Sequence, residues 1–537
     1  MNASEESTNA STPEAGGERP SYGSAAWVGL LTLLSRVMGL VREATRAHFL
    51  GTGFYADAFQ VAFMLPNLLR RLVGEGAISS ALVPVYSQFV TQRDRGEQRV
   101  FAEKFLTLWL ILVLGCALGG VVLGGYFVSA AFRWGSFAEA AKAELTGDLT
   151  RLLFIYLMFV GTAAALQGIL NAHKYFVLPS TAPLLFNIAF VVSTWAVAPG
   201  LPENQRVYAL AGAVLVGGLL QLGVMLPLVW RIGLRPRPRW PLDHPGVRRI
   251  MRLFVPAVFG AGVYQINALV STILAGRLAE EGSVAVLSYS NRLMEVVLGV
   301  YVVALSTVTL TSLSRQIIAD DRAGFTATLT EVLRLVLFIT VPSTVGLYLL
   351  RTPTLSLLLE SGVFDARSLE VTAQVFQFHV IGLSFVGVSR VMVNGFYAMK
   401  DLVTPVWIAA VCLVVNLGFA WYLSAGELSY RGIAIAASIS AVSQAALLWW
   451  ALRRRVPELA QHRVWPTLLR SCVATAPMGA AVWAATPFLE TADGKLDLAA
   501  RLALVILGGS ALYFLAAALL RMPEYRLLLG RFTRRRG

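Results

Sequence analysis

Charge is scarce in this chain: Asp, Glu, Lys and Arg make up 14% of its 537 residues, while 56% are hydrophobic and mean hydropathy is +0.65. A soluble globular domain carries about 25% charged residues, so an ordinary soluble enzyme or carrier is excluded. Long polar intervals are missing as well. Apolar runs recur from about residue 25 to about residue 521, leaving short loops and two tails but no room for a soluble catalytic domain. Only three cysteines are present, Cys116, Cys412 and Cys472, far apart in apolar segments. That spacing suits neither a disulfide framework nor a metal site. There is no P-loop pattern, no HExxH, no clustered ligand set among the five histidines, and no paired carboxylates in a sizeable loop.

What is present is one apolar run after another, each able to cross roughly 30 Å of hydrocarbon. The predicted fold is all-α and polytopic, with about fourteen spans near 25–50, 54–90, 101–130, 149–170, 179–198, 207–230, 250–278, 284–314, 331–350, 371–397, 403–424, 431–452, 467–489 and 497–521. Residues 1–24, rich in Ser, Glu, Gly and Pro, read as a disordered tail, and the lack of a basic stretch near Met1 argues against a cleaved signal peptide. The formal charge of +14 is spread over loops, which fits membrane topology better than nucleic-acid binding. With the N-terminus in the cytoplasm, about 28 Lys and Arg fall inside against about 10 outside, so both termini are predicted cytoplasmic. The richest inside stretch is 231–252; Arg453-Arg454-Arg455 and Arg534-Arg535-Arg536 follow.

An internal repeat is visible. Phe132-Arg133-Trp134-Gly135-Ser136-Phe137 recurs loosely as Leu359-Glu360-Ser361-Gly362-Val363-Phe364, and Phe159-Val160-Gly161 as Phe385-Val386-Gly387. Leu170-Asn171 ahead of Thr181-Ala182-Pro183 recurs as Val393-Asn394 ahead of Thr404-Pro405. The near-constant offset maps spans 1–6 onto spans 7–12. An even number of spans per copy keeps both copies in one orientation, related by an axis along the membrane normal, with substrate carried between them near the midplane. The expected organisation is a tail at 1–24, an N-lobe at 25–230, a cytoplasmic linker at 231–249, a C-lobe at 250–452, two further helices at 453–521 and a basic cytoplasmic tail at 522–537.

The charges that remain inside spans carry the functional reading, because each costs at least roughly 2.5–3.5 kcal/mol near the bilayer centre unless it faces a wet cavity or a partner. Arg36, Arg42, Arg70, Arg71, Arg292, Arg390 and Arg501 are in this position. On an ideal helix Arg36 and Glu43 share a face, so Glu43 neutralises Arg36 or, alternatively, Arg42. Arg71 and Glu75 have i,i+4 spacing, and Glu295 lies three positions from Arg292. Asp57 is read as a helix-end charge or as a partner of Arg46. Arg390 fits a hydrogen bond within its own lobe as well as it fits a cavity, and Arg501 is placed at an interface. Arginines outnumber carboxylates in the first block, which points to a wet chamber for an anionic substrate. Arg suits phosphate because its planar fork stays charged and binds bidentately.

Ser35-Arg36-x-x-Gly39-x-x-Arg42-Glu43, Ala56-Asp57-Ala58-Phe59, Pro66-Asn67-Leu68-Leu69-Arg70-Arg71, Glu75-Gly76-Ala77 and Val83-Pro84, together with Asn291-Arg292-Leu293-Met294-Glu295 and the Thr404-Pro405 region, resemble the MurJ/MviN family, the lipid II flippases of bacterial peptidoglycan synthesis. The resemblance implies the multidrug/oligosaccharidyl-lipid/polysaccharide transporter fold, with two six-helix lobes and two C-terminal helices forming a groove for a lipid tail. It implies alternating access in the bacterial inner membrane, without covalent catalysis, and a substrate of undecaprenyl-diphosphate-linked disaccharide-pentapeptide. By motif match Arg36, Arg42 and Arg292 are the substrate-binding residues. Asp57, Arg70, Arg71 and Glu75 are gate or inter-lobe contacts, with Glu43 and Glu295 the carboxylates beside the arginines. Membrane lipids and other cell-wall synthesis proteins are the implied partners.

This sequence departs from the family at Asn291, where Asp is frequent, and at Thr309-Leu310-Thr311-Ser312-Leu313-Ser314, which lacks the usual Leu-Pro. Some members are thought to bind sodium, but spans 7, 11 and 12 hold no Asp or Glu, so no metal site is assigned. No cofactor is expected, and coupling to the membrane potential or to a monovalent cation stays open. Two alternatives also remain: a flippase for another polyprenyl-linked oligosaccharide, and a cation-coupled small-molecule antiporter of the same fold.

Overall fold

The structure, a computed structural model, describes residues 22–73, 77–235, 237–240, 243–460 and 464–527. Its helices are α1 (Tyr22–Leu50), α2 (Phe54–Val73), α3 (Ala77–Gln92), α4 (Arg95–Ala131), α5 (Ala140–Ala172), α6 (Val177–Val197), α7 (Glu203–Gly223), α8 (Leu226–Arg231), α9 (Pro245–Gly276), α10 (Ser283–Ile318), α11 (Arg322–Leu349), α12 (Arg351–Leu359), α13 (Ala366–Ile381), α14 (Leu383–Ala398), α15 (Val403–Ser424), α16 (Ser429–Arg455), α17 (Trp465–Ala484), α18 (Thr486–Glu490) and α19 (Lys495–Leu519). Apart from one isolated bridge between Ser361 and Phe364, no β pairing occurs among the described residues.

Among the described residues helix covers every stretch predicted to span, and the 371–397 stretch is bent where the apolar pattern shows no sign of it. In the 54–90 stretch the described residues form α2 and α3. The 371–397 stretch is the pair α13 and α14, bent by 42°. At that bend the carbonyl of Phe378 is taken by the Ser438 hydroxyl at 2.5 Å, which supplies the partner a helix break removes. Among the described residues eight helices are long and apolar enough to cross a membrane, or nine if the bent pair crosses as one. α2 is not among them because Asp57, Arg70 and Arg71 lie within its 20 residues.

The repeat is present helix by helix. α5, α6 and α7 begin at residues 140, 177 and 203, while α13, α15 and α16 begin at 366, 403 and 429, each 226 positions later. Tight packing of α4 on α5, α2 on α5 and α1 on α6 builds the first copy, and α15 on α16, α10 on α14 and α11 on α14 the second. α17 and α19 pack on each other and against α11, around Phe338, Met478 and Tyr513.

Between the copies, Arg239, Asp243 and His244 are pinned to α4. Lys104 Nζ meets Asp243 at 2.6 Å, and Arg239 Nε meets the fully buried Glu103 at 2.6 Å. His244 stacks on Phe101 with centroids 4.7 Å apart and caps α9, its Nδ1 accepting from Gly246 N at 3.2 Å. Lys104 holds the Asp243 carboxyl below its usual range. Glu75 and the greater part of the two expected tails, 1–21 and 528–537, lie outside the described residues.

Candidate substrate cavity

A cavity of about 680 Å³ lies between the copies, walled by α1, α2, α9, α10, α13, α14, α15 and α16. Its charged lining is Arg42, Glu43, Arg46, Arg71, Arg292, Glu295 and Arg390. Five arginines against two glutamates leave a formal excess of three positive charges. A buried excess of one sign is costly unless water or a counter-ion compensates it.

Glu43 is the hub on α1. Its carboxylate takes Arg42 Nη2 at 2.8 Å and Arg46 Nη2 at 3.1 Å. Of the two pairings weighed from sequence, the Arg42 pairing forms, and Arg46 joins it from one turn further on. On α10 a separate and more exposed pair stands: Arg292 Nη1 meets Glu295 Oε2 at 3.1 Å, with the Arg side chain one-third exposed.

Arg42 and Arg46 have different surroundings. Arg46 is enclosed: it donates to Gln60 Oε1, reaches Ser288 Oγ at 3.4 Å, and lies 4.3 Å over the Tyr289 ring. Arg42 donates to Asn187 Oδ1 at 3.2 Å, and Asn187 Nδ2 in turn donates to the Ser35 carbonyl at 3.0 Å. Asn187 thus ties α6 to the α1 segment that carries both Arg36 and Arg42. Arg36 itself packs onto α10, where a Cβ at Gly299 would fall 1.5 Å from its Nη1. The charged groups that act on it are Arg292, Arg390 and Glu295.

Two expected contacts separate from this cluster. Asp57 is fully buried at the end where α1 meets α2, and it does not reach Arg46. Its Oδ2 accepts from Lys142 Nζ at 3.0 Å and Gly282 N at 2.8 Å, and its Oδ1 accepts from Ala285 N at 2.9 Å. A carboxylate at the first turn of α10 is favoured by the helix dipole and satisfies free N–H groups. Arg70 Nε donates to Asn67 within α2 at 3.0 Å. Arg501 pairs with Asp497 at 2.8 Å, remote from the cavity.

Sequence reasoning missed Asn187 and Lys142 and gave Arg46 to Asp57 rather than to Glu43. For Arg46 the i,i+3 spacing from Glu43 was the available signal; the other two act across 145 and 85 positions of sequence. In α9 and α15, Asn416 Nδ2 donates to Asn267 Oδ1 at 2.7 Å, so an amide pair stands in this part of the second copy.

The helices and cavity define the class: a polytopic membrane transporter built from two copies of a helical repeat. Residues 46–502 match the family described as "Lipid II flippase MurJ". Over 430 residues the chain is 36% identical to the lipid II flippase MurJ of Burkholderia cenocepacia, covering 79% of this chain and 82% of that protein. It is 34% identical over 469 residues to a probable lipid II flippase MurJ of Vibrio cholerae, covering 85% and 87%. A solved structure of the lipid II flippase MurJ in an inward closed conformation superposes with a TM-score of 0.77 at 22% identity, over 94% of this chain and 99% of that one. An inward-facing multidrug transporter of the MATE family, in the MOP superfamily, gives 0.60 at 15% identity, over 81% of this chain and 95% of that one. The chain belongs to the lipid II flippase MurJ family.

Proposed function

We propose that this chain moves undecaprenyl-diphosphate-linked peptidoglycan precursor from the cytoplasmic to the outer leaflet, with the headgroup passing through the arginine-lined cavity. The observation that carries the reading is the cavity's excess of three positive charges, set between the two copies and drawn from both. A diphosphate supplies the missing negative charge, and Arg42 with Arg292, one from each copy, can grip it together where the copies meet. Arg36 is not in that lining but rests on α10 at Gly299, and it is proposed to meet the headgroup as the cavity changes shape. No bond is made or broken, so no catalytic residue or cofactor is invoked.

Both termini are assigned to the cytoplasm, on the distribution of Lys and Arg. The organisation proposed is the sequence-derived one: N-lobe 25–230, linker 231–249, C-lobe 250–452 and a lipid-tail groove within 453–521. The membrane potential can bias a charged cavity by about 2.3 kcal/mol per charge per 100 mV, and it is the proposed energy input. Other cell-wall synthesis proteins are the proposed partners.

The test is complementation in cells depleted of their own lipid II flippase. Wild type restores growth, and Arg36→Ala, Arg42→Ala and Arg292→Ala each fail to, at normal membrane levels. Failure of the wild-type chain overturns the substrate; growth of all three variants overturns the cavity assignment.

A further inference from the structure

The repeat motif that first exposes the internal duplication has no part in the cavity. Its two copies are the loop after α4, around Gly135, and the loop after α12, around Gly362, 227 positions apart. Each loop lies against the end of the other copy's first helix. Ser136 N donates to the Leu278 carbonyl, just beyond α9, at 2.7 Å. Val363 N donates to the His48 carbonyl, in the last turn of α1, at 2.9 Å. The two receiving ends are also repeat equivalents, since α1 and α9 are the first helices of their copies. One contact is made twice, each copy gripping the other.

Both grips depend on glycine. Gly135 has φ +63° and Gly362 has φ +60°, in the left-handed region that side chains disfavour. A Cβ on Gly135 would fall 2.2 Å from the Arg277 carbonyl carbon and oxygen, and one on Gly362 would fall 2.3 Å from the His48 carbonyl oxygen. These neighbours are backbone, so they cannot rotate away. Buried aromatics seat each loop: Phe132 and Phe137 against α9 at Gly276, and Phe364 edge-on to Tyr289 at 5.7 Å. Asp57 on the α10 terminus, Tyr289 Oη on the Gly51 carbonyl at 3.1 Å and Thr52 on Ser368 at 2.8 Å bridge the copies at this same end.

We propose that the two loops form a reciprocal clasp that holds the α1–α2 end of the cavity shut, and that opening this end requires both grips to part. The topology proposed above makes it the outer end, and the clasp rests on that reading for its direction. Because each grip is a backbone hydrogen bond on a glycine platform, closure needs no ionisable side chain from either loop.

The test replaces the three native cysteines and places a reporter at Ser288→Cys, which lines the cavity on the second turn of α10. A membrane-impermeant maleimide is applied to spheroplasts. Gly135→Ala or Gly362→Ala is expected to raise labelling about tenfold or more, the shift given by about 1.4 kcal/mol of closed-state strain. In the same background the pair Ser136→Cys and Leu278→Cys, once oxidised, is expected to stop growth complementation until a reductant is added. Unchanged labelling in both alanine variants, or full complementation by the oxidised pair, overturns the clasp. If an alanine variant does not fold, the cysteine pair decides alone. A wild-type chain that fails to complement yet shows the labelling contrast overturns the substrate and leaves the clasp standing.

Discussion

Arg36 on α1 rests on the bare backbone of Gly299 on α10, and the relation is returned: Arg292 Nη2 lies 3.4 Å from where a Cβ on Gly39 would stand. Each copy seats an arginine of the other on a glycine. Gly299→Ala is therefore expected to displace the Arg36 guanidinium. The fold should tolerate it, because the obstructed group is the end of a flexible side chain and Ala in a helix interior gains about 0.5–1 kcal/mol over Gly. Complementation should fall while the melting temperature holds or rises. Intact complementation would remove Arg36 from the substrate surface.

Arg42 and Arg46 share Glu43 but should fail differently. Arg46 is bonded to Glu43, Gln60 and Ser288 and covers Tyr289, with 6% of its surface exposed. Glu43 keeps Arg42, but Arg46→Met leaves its other oxygen and Gln60 Oε1 without their buried donor, so the change should cost about 1–3 kcal/mol of stability for each group left unpaired. Arg42 keeps one edge on the cavity, and Arg42→Lys retains charge without the planar fork that binds Asn187 and Glu43 together. Its expected outcome is reduced complementation with little change in thermal unfolding. Equal melting loss in both variants would show that Arg42 is structural too.

The Asp57–Lys142 pair is fully buried on both sides, at 0% side-chain exposure. Lys142→Met leaves Asp57 charged among apolar neighbours, with only the two α10 N–H groups to hold it, and should destabilise by about 3–5 kcal/mol. Adding Asp57→Asn should restore part of that loss, because the amide oxygen keeps one of the two α10 N–H bonds without a charge to compensate, while its NH2 faces the other. A double-mutant cycle by thermal unfolding measures the coupling. Strict additivity would mean the pair does not act as a unit.

The all-α architecture and the repeat were legible because helix length and apolar runs are local signals, and a constant offset survives divergence. Much of the first block was legible for the same reason: Arg36, Arg42 and Glu43 lie within eight residues of one helix. What stayed hidden depended on partners that sequence distance conceals. Lys142 read as a loop residue because the apolar run begins near 149, yet α5 starts at Ala140 and carries Lys142 inward to Asp57. Asn187 looks like any polar residue in an apolar helix until α6 lies beside Ser35. Gly299 and Gly135 carry no chemical sign at all, since their role is the space they leave.

The linker gives a pH prediction outside the membrane. Burial against Phe101, with Lys104 nearby, holds His244 below the ordinary imidazole value of 6.5, against the opposing pull of Asp243 and Glu97. Undocked chain therefore binds a proton before docked chain does. The contribution of His244 to docking is complete above pH 6.5 and is lost as pH falls from there through the lower folded value. Protonation also removes the lone pair with which Nδ1 caps α9. Amide hydrogen exchange across 232–250 should quicken on going from about pH 7.5 to about pH 5.5, after correction for intrinsic exchange. His244→Asn keeps an N-cap acceptor but does not titrate, so it should flatten this dependence; an unchanged slope would assign the effect to another group.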